Sequence, residues 1–550
     1  MAMQHTPLLM HRLLERGAVA APNEEIVTAT ESGTRRQSYK ATRDRSHQLA
    51  HALASTGIGV GDRVGTFMWN GSRHLEAYHA SAGMGAVLHT LNIRLSDTDL
   101  EYIINHAGDK LIIVDADLLP LLDELDGRIP TVERVVVAAE EGFEDWKTSL
   151  PNAVDYEALI GSQPSEFEWP EIDENSPLGL CYTSGTTGHP KGVEYEHRSQ
   201  YLHTITQCMT DAMGLTATDT LLGIVPMFHA MGWGLPWAMT MLGGRQVMPH
   251  RFMDPVKLVD LMQSEKVTIS AGVPTIWQGV KAVLEANPGK YDLSALERLT
   301  CGGSAPPPSM IRWYWDELGV EMVQGWGMTE TSPLATTSRR LAKRAHRDIS
   351  DDERFANVAK AGQLMPGLEI EIVDEEFNPL PHDGEAFGEL LIRGPWICSE
   401  YYRDPQPEKF HDGWLMTGDV AKIDPEEYVI ITDRSKDLIK SGGEWISSVD
   451  LENHIVSMSE VAQACVVAQP HPRWDERPVA LVVVNDGAEL TAEQVRQHCA
   501  DQFAKWQLPD DVIFVDSIPL TSTGKLDKKL VRANLEAQNY KLPDLREKAG

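Results

Sequence analysis

The run Tyr182-Thr183-Ser184-Gly185-Thr186-Thr187-Gly188-His189-Pro190-Lys191-Gly192 follows the apolar stretch Leu178–Cys181 and holds three glycines, four aliphatic hydroxyls and one lysine. Glycines let the backbone come close to an anion and turn N–H groups toward it, while the hydroxyls and Lys191 add donors. A string of this kind at the end of an apolar strand reads as a phosphate-binding loop. It is not a Walker A loop, because no Gly-Lys-[Ser/Thr] opens a helix here, and Gly524-Lys525 is followed by Leu526.

Outward from this loop, helix-like stretches (Tyr39–Ser55, Arg73–Met84) alternate with short apolar strands. The strands are Arg63–Trp69, Lys110–Asp115, Arg134–Ala138, Thr220–Val225 and Thr268–Ala271. Such alternation predicts parallel βαβ units and an α/β fold. From about residue 366 to 432 the texture changes to short strands (Leu368–Val373, Gly388–Ile392, Val429–Thr432) between Gly, Pro and Asp turns, which predicts a small β-rich subdomain. A compact α+β set follows, with helices at Val449–Ser457 and Thr491–Phe503 and strands at Ala462–Ala468 and Val479–Val484. The charged stretch Asp433-Arg434-Ser435-Lys436-Asp437 lies between the last two textures and is the natural linker.

The chain has 550 residues, 42% hydrophobic and 24% charged, enough for a large core and against disorder. Lys and Arg number 49 against 81 Asp and Glu, a net charge of −32, so nucleic acid and anionic membranes would be repelled and no nucleic-acid partner is expected. The six cysteines (Cys181, Cys208, Cys301, Cys398, Cys465, Cys499) form no C-x-x-C pair, which argues against a disulfide framework or zinc ribbon and suits a reducing, cytoplasmic location. Met1 to Gly17 lacks the apolar run of a signal peptide. Leu221 to Gly244 carries no charge, but its prolines, glycines and His229 interrupt a spanning helix, so a buried strand-turn-helix beside a pocket is expected and no membrane span.

Further strings carry chemistry. Gln324-Gly325-Trp326-Gly327-Met328-Thr329-Glu330-Thr331 sets an aromatic stacking surface among glycines, next to a hydroxyl and a carboxylate suited to phosphate and a hard divalent cation. Others are Cys301-Gly302-Gly303-Ser304-Ala305, Thr417-Gly418-Asp419, Asp433-Arg434-Ser435-Lys436, Lys440-Ser441-Gly442-Gly443-Glu444-Trp445 and Pro519 through Lys525. In this order, over nearly the whole chain, they resemble the adenylate-forming superfamily of acyl-CoA synthetases, luciferases and peptide-synthetase adenylation domains. The stretch Lys436 to Asn453 is similar to AMP-forming medium- and long-chain fatty acyl-CoA ligases and 3-methylmercaptopropionyl-CoA ligases.

The resemblance implies a fold and a set of roles. Residues 1–434 would form an ATP- and acyl-binding domain of stacked α/β subdomains, 435–437 a hinge and 438–550 a small mobile domain. Thr183, Ser184, Gly185, Thr186, Thr187, Gly188 and Lys191 would hold the β- and γ-phosphates of ATP, with Thr183 and Glu330 at Mg²⁺. Gly303, Ser304 and Ala305 with Gln324, Gly325, Trp326, Gly327, Met328 and Thr329 would enclose the nucleotide. Asp419 would accept from the ribose hydroxyls, assisted by Arg434. Lys525 would reach the α-phosphate and the substrate carboxylate, and Lys436 would be the hinge. His229, Trp233, Val273, Gly303 and Gly327 would line the acyl site, and Lys440, Ser441, Gly442, Gly443, Glu444 and Trp445 the CoA path. ATP, Mg²⁺ and CoA follow as cofactor and co-substrates, and a homodimer as an expectation from analogy alone.

Several residues have a plainer reading beside this one. His229 and Trp233 would also serve as ordinary core residues, Val273-Pro274-Thr275 as a strand end and Trp445 as a structural anchor. The basic residues Arg339, Arg340, Lys343, Arg344 and Arg347 recur at helical spacing among acidic neighbours and read as a solvated helix face. Three positions depart from the family pattern: Trp326 stands for a common Tyr, Asp433 for a common Gly, and Glu427 for a common Gly. The expected activity is ATP-dependent ligation of a short- to medium-chain aliphatic acid, including 3-methylmercaptopropionate, to CoA. A long-chain ligase, an adenylating enzyme that loads an amine or a separate carrier protein, and a non-catalytic nucleotide-binding regulator stand as alternatives. A fused carrier domain is not expected.

Overall fold

The computed structural model describes residues 3–183, 189–340, 343–442, 444–485, 487–521 and 524–538. Local chemistry sets its elements in the expected way. The helix Asp97–Ala107 begins where the Ser96 hydroxyl accepts from Asp99 N (3.2 Å), carries Asp97 and Asp99 in its first turn, and ends on the left-handed Gly108. Asp254 caps the helix Pro255–Ser264 in the same way, with Pro255 in its first turn.

Among the described residues the strands form three sheets. A seven-stranded sheet runs Val154–Asp155, Arg134–Ala138, Asp109–Asp115, Arg63–Phe67, Val87–Thr90 and Pro177–Tyr182 in parallel, closed by antiparallel Gly192–Glu196. The strand Pro177–Tyr182 therefore delivers Thr183 to the carboxyl edge of a parallel sheet, where open α/β folds place ligands.

The second sheet has 14 strands among the described residues. Its parallel part includes Thr220–Leu222, Ile269–Gly272, Arg298–Gly302 and Glu321–Gly327. At Leu334–Ser338 the direction reverses, and antiparallel strands continue through Gly362–Leu364, Tyr428–Arg434, Trp414–Ile423 and Phe387–Arg393 to Glu369–Val373. The β-rich stretch expected over 366–432 is thus the far end of the same hydrogen-bonded sheet rather than a separate one. After Ser332-Pro333 the chain turns back, and Leu334–Ser338 pairs with the side of Glu321–Gly327 opposite Arg298–Gly302.

Buried Asn70 joins the two sheets. Its Nδ2 donates to Gly223 O and Val225 O, and its Oδ1 accepts from Met227 N, all at 2.7 Å. The main core packs Trp277 and Tyr314, both fully buried, with the Tyr314 hydroxyl on Trp277 O (2.7 Å). From Ile439 onward the strands belong to a third, five-stranded sheet built on the long hairpin Val461–His471/Asp475–Val484, flanked by the helices Ser448–Val456 and Ala492–Ala500. No helix among the described residues is long and apolar enough to cross a membrane. The stretch Leu221 to Gly244 is a strand, a turn and the helix Leu235–Leu242.

One expectation is corrected here, and one departure from the family pattern is explained. Among the described residues the basic residues after 338 do not share a long helix face, since the short 3-10 turn Arg344–Arg347 forms there; Arg339, Arg340 and Lys343 pair with Glu321, Asp351 and Glu426. Glu427 adopts φ 65° in a turn where Asp424 Oδ1 accepts from Glu426 N and Tyr428 N, so a side chain occupies a left-handed position suited to glycine.

Candidate active site

The carboxyl ends of the parallel strands, the antiparallel extension and one lysine of the C-terminal segment meet at a single place. Lys525 is half-buried there, and a Cβ added at Gly303 would lie 3.1 Å from both Lys525 Cε and Val273 Cγ1. Gly303 has φ 84°, so the bare left-handed backbone lets the lysine pass. The neighbouring Gly524, also left-handed, brings its carbonyl to 3.4 Å from the Thr275 hydroxyl. Burial lowers the Lys525 ammonium to about 8, Arg434 pushes the same way, and Asp419 and Glu330 resist. His229, held to about 3 by burial and by the charge of Lys525, is neutral at pH 7.

Asp419, 2% exposed, accepts from Arg434 Nε (2.6 Å) and from the indole N–H of Trp326 (2.9 Å). The indole in place of a tyrosine thus supplies a hydrogen bond of its own. Glu330 is 7% exposed and has no ion-pair partner among the described residues. Tyr401 donates to its Oε1 at 2.7 Å, and no hydrogen bond reaches its other oxygen among the described residues. A buried carboxylate left this way calls for a cation. Its oxygens and the Thr183 hydroxyl are hard donors of the kind that bind Mg²⁺ through one or two protein groups plus phosphate. No cluster of three His, Cys, Asp or Glu that could hold a metal ion forms among the described residues.

The two ends of the glycine- and hydroxyl-rich run pair with each other, with Thr183 N donating to Lys191 O (2.8 Å) and Lys191 N to Thr183 Oγ1 (3.3 Å). Ser184, Gly185, Thr186, Thr187 and Gly188 lie outside the described residues, as does Gly443. Lys191 Nζ donates to Gln406 Oε1 and sits 5.1 Å above the Tyr401 ring. Tyr401 and Gln406 belong to no motif of the sequence reading, and polar side chains in a loop give no signal of what they will touch.

Other expected residues fall into place differently. With its amide oriented to suit its surroundings, Gln324 donates to Ala359 O (2.9 Å), Val358 O and Lys360 O, so its side chain is spent on the fold and only its backbone faces the site. Gly327 makes room for a backbone, since a Cβ there would lie 1.9 Å from Pro333 O. Gly325 packs against Leu334 and Thr336. Met328 N donates to Thr331 Oγ1, and Thr329 O accepts from the buried Tyr195 hydroxyl (2.7 Å). Ser304 and Ala305 follow Gly303 in an open loop.

Trp233 stands in an unusual turn. Ala230, Met231, Gly232, Trp233 and Gly234 have φ of 43°, 51°, 63°, 58° and 74°. Three of the five carry side chains in the left-handed region, at about 1–2 kcal/mol each. Gln207 holds the turn by donating to Gly234 O (2.9 Å). A Cβ at Gly302 would lie 2.9 Å from the Trp233 ring, so this indole rests on bare backbone beside Gly303.

Lys440, Ser441, Gly442, Glu444 and Trp445 form the hairpin Ile439–Ser441/Glu444–Ile446. Ser441 accepts from Arg477, Gly442 N donates to Trp474 O, and Lys440 lies 5.4 Å from the Trp445 ring. No hydrogen bond, ion pair or ring contact joins this hairpin to the site at Lys525 among the described residues. Lys436 is exposed in the turn between Arg434 and Ile439.

Comparison with known proteins bears on this architecture. The family model described as AMP-binding enzyme matches residues 14–402, and AMP-binding enzyme C-terminal domain matches 450–525. The chain belongs to the AMP-binding enzyme family. This AMP-binding enzyme is 42% identical over 531 residues to a medium-chain-fatty-acid–CoA ligase of Ectopseudomonas oleovorans, covering 96% of each chain. It is 42% identical to a 3-methylmercaptopropionyl-CoA ligase of Ruegeria lacuscaerulensis (96% of this chain, 98% of that one). It is 43% identical to a long-chain-fatty-acid–CoA ligase of Thermus thermophilus (98% and 97%). The crystal structure of the anthranilate CoA ligase AuaEII with anthranoyl-AMP shares the fold, with a TM-score of 0.86 at 24% identity over 97% of this chain and 99% of that one. The α/β body with a small C-terminal domain is therefore the architecture of the family, and the three relatives at 42–43% identity are acid–CoA ligases.

Proposed function

We propose that the chain is an ATP-dependent ligase that joins a short- to medium-chain aliphatic acid to CoA through an acyl adenylate. The observation that carries this reading is Lys525, brought from the far end of the chain and packed against Gly303, in the field of Asp419 and Glu330. A carboxylate oxygen attacks the α-phosphorus of ATP, a P–O bond forms, and the bond to pyrophosphate breaks. Two anions meet in that step, so the barrier is largely electrostatic. Lys525 offers a positive charge there from a partly desolvated position. Asp419 and Trp326 hold the ribose and base, and Thr183 with Lys191 orients the phosphates. Glu330 and Thr183 would hold Mg²⁺, which when bound neutralises charge on the phosphates.

The CoA sulfur then attacks the acyl carbon and AMP leaves. This step requires Lys525 to withdraw, and the reading assigns that motion to a rotation about Lys436 that brings the Lys440–Trp445 hairpin to the site. The neutral His229 and the indole of Trp233 give the acyl side an apolar wall with no charge to pair an amino group. The relatives named above act on short, medium and long acids at nearly equal identity, so chain length rests on pocket packing. Cytoplasmic location belongs to the same proposal, supported by six cysteines that are all free; so does a homodimer, by analogy alone.

The test is release of AMP and pyrophosphate across a panel of carboxylic acids with ATP and Mg²⁺, with and without CoA. CoA-dependent thioester peaking at one chain length is expected. Adenylation without thioester would move the acceptor to an amine or a carrier protein, and silence with every acid would overturn the reading.

A further inference from the structure

Glu330 owes its position to a loop that no motif marks. Tyr401 lies in the connection after the strand Phe387–Arg393 and is 5% exposed. Its hydroxyl donates to Glu330 Oε1 at 2.7 Å. The same loop holds the backbone around the carboxylate, with Cys398 N donating to Glu330 O (2.9 Å) and Ser332 Oγ to Trp396 O (2.7 Å). The face of the Tyr401 ring carries Lys191 Nζ 5.1 Å from its centroid, and Gln406 of the same loop accepts from that ammonium. One side chain therefore touches a carboxylate and a lysine that come from different sheets.

We propose that Tyr401 is a positioning residue for adenylation, orienting Glu330 toward the metal and seating Lys191 beside it. The inference rests on the ligase reading above. A phenol is suited to this task because it is neutral. A lysine or arginine at the same distance would cancel the charge of Glu330 and remove its reason to attract a cation. The phenol occupies one oxygen, fixes the carboxylate plane and leaves the second oxygen for the metal. The ring meanwhile offers the ammonium an attractive face and contributes no competing anion. Outer groups that orient a ligating carboxylate in this manner tune metal affinity without touching the metal. Tyr401 would thereby bring two positive charges to the pyrophosphate end of ATP in a fixed relation.

The variants Tyr401→Phe and Tyr401→Leu separate the two contacts. Phe keeps the ring under Lys191 and loses the hydroxyl; Leu loses both. Binding of ATP is followed by calorimetry and by thermal shift as Mg²⁺ is titrated, alongside pyrophosphate release. Tyr401→Phe is expected to raise the half-saturating Mg²⁺ about tenfold, the low end for an outer-shell partner. ATP affinity without Mg²⁺ and the KM for the acid should stay at the wild-type values. Tyr401→Leu is expected to weaken Mg²⁺-free ATP binding by a further factor of about three through Lys191. In a Glu330→Gln background, Tyr401→Phe should add no further loss of Mg²⁺ dependence.

A wild-type Mg²⁺ curve for Tyr401→Phe overturns the proposal. So does an equal loss with and without Mg²⁺, which would mark a packing role. Wild-type protein that Mg²⁺ and ATP fail to stabilise would instead overturn the ligase reading on which the proposal rests.

Discussion

Asp433 and Ser448 join the two parts of the chain across the turn 435–437. Asp433, near the end of the strand Tyr428–Arg434, accepts from Ser448 N at 2.7 Å and from the Ser448 hydroxyl. Ser448 opens the helix Ser448–Val456, so a carboxylate of the large body sits at the N-terminus of the first helix of the C-terminal domain, where anions are favoured. Lys528 adds to the junction, with Nζ 2.6 Å from Ser448 Oγ and 2.9 Å from Glu452 Oε1. The adjacent Ser447 hydroxyl donates to Thr432 O at 2.6 Å.

Asp433→Ala should therefore loosen the junction. It leaves a buried helix N–H without a partner, at a cost of about 1–3 kcal/mol. Calorimetry should show a lower transition for the C-terminal domain, and proteolysis should quicken in the turn around Lys436. An unchanged melting profile would show that the contact carries no stability.

Lys525→Ala should reduce acyl-adenylate formation by at least about 10²–10³, as removal of one charge-stabilising group does. Thioester formation from supplied acyl adenylate should fall much less. Equal losses in the two half-reactions would remove Lys525 from the first step.

Lys525 also predicts a pH dependence. Burial lowers it from its ordinary 10.5 to about 8, so the ammonium is lost early and adenylation by the free enzyme should decline above about pH 8. The stability effect has the opposite sense. Between about 8 and 10.5 the unfolded chain holds the proton and the folded chain does not, so stability rises with pH there, and below 8 the buried charge opposes folding. Lys525→Met should abolish this rise in urea titrations across that window.

Lys436→Pro should spare adenylation and impair CoA transfer, because a fixed φ in the turn restricts rotation while the present arrangement stays accessible. Single-turnover assays of each half-reaction would decide; CoA transfer at the wild-type rate would refute the hinge.

Gly302→Ala tests the wall of the acyl site. The added methyl would lie 2.9 Å from the Trp233 ring and 3.0 Å from Gly325 O. The indole must shift, so the preferred chain length should change and the KM for the best acid rise several-fold, while the affinity for ATP stays constant. Overpacking of this kind costs about 1–3 kcal/mol. An unaltered acid profile would remove Trp233 from the pocket wall.

Much of the molecule was legible before any coordinates. The strand Arg134–Ala138 and the helix Tyr39–Ser55 have the bounds their patterns predict, because apolar runs and polar caps act within a few residues. The order of the motifs pointed to the family and to Lys525, Glu330 and Asp419. Tyr401, Gln406 and the turn at Ala230–Gly234 were not legible. Their roles come from neighbours supplied by distant segments, and two tyrosines in a loop look alike until one meets a carboxylate. Equally illegible were the contacts of Gln324 with the carbonyls of 358–360 and the close approach of Gly327 to Pro333 O.

By itself, then, the sequence determined the α/β class, the family and the identity of the charged groups, since each is written in short contiguous strings whose chemistry is local. Only the tertiary structure decided that the β-rich stretch extends the parallel sheet, that Trp326 donates to Asp419, and that Lys525 lies against Gly303. Those outcomes depend on hydrogen-bond partners and on space left by absent side chains, and both exist only when remote segments of the chain are brought together.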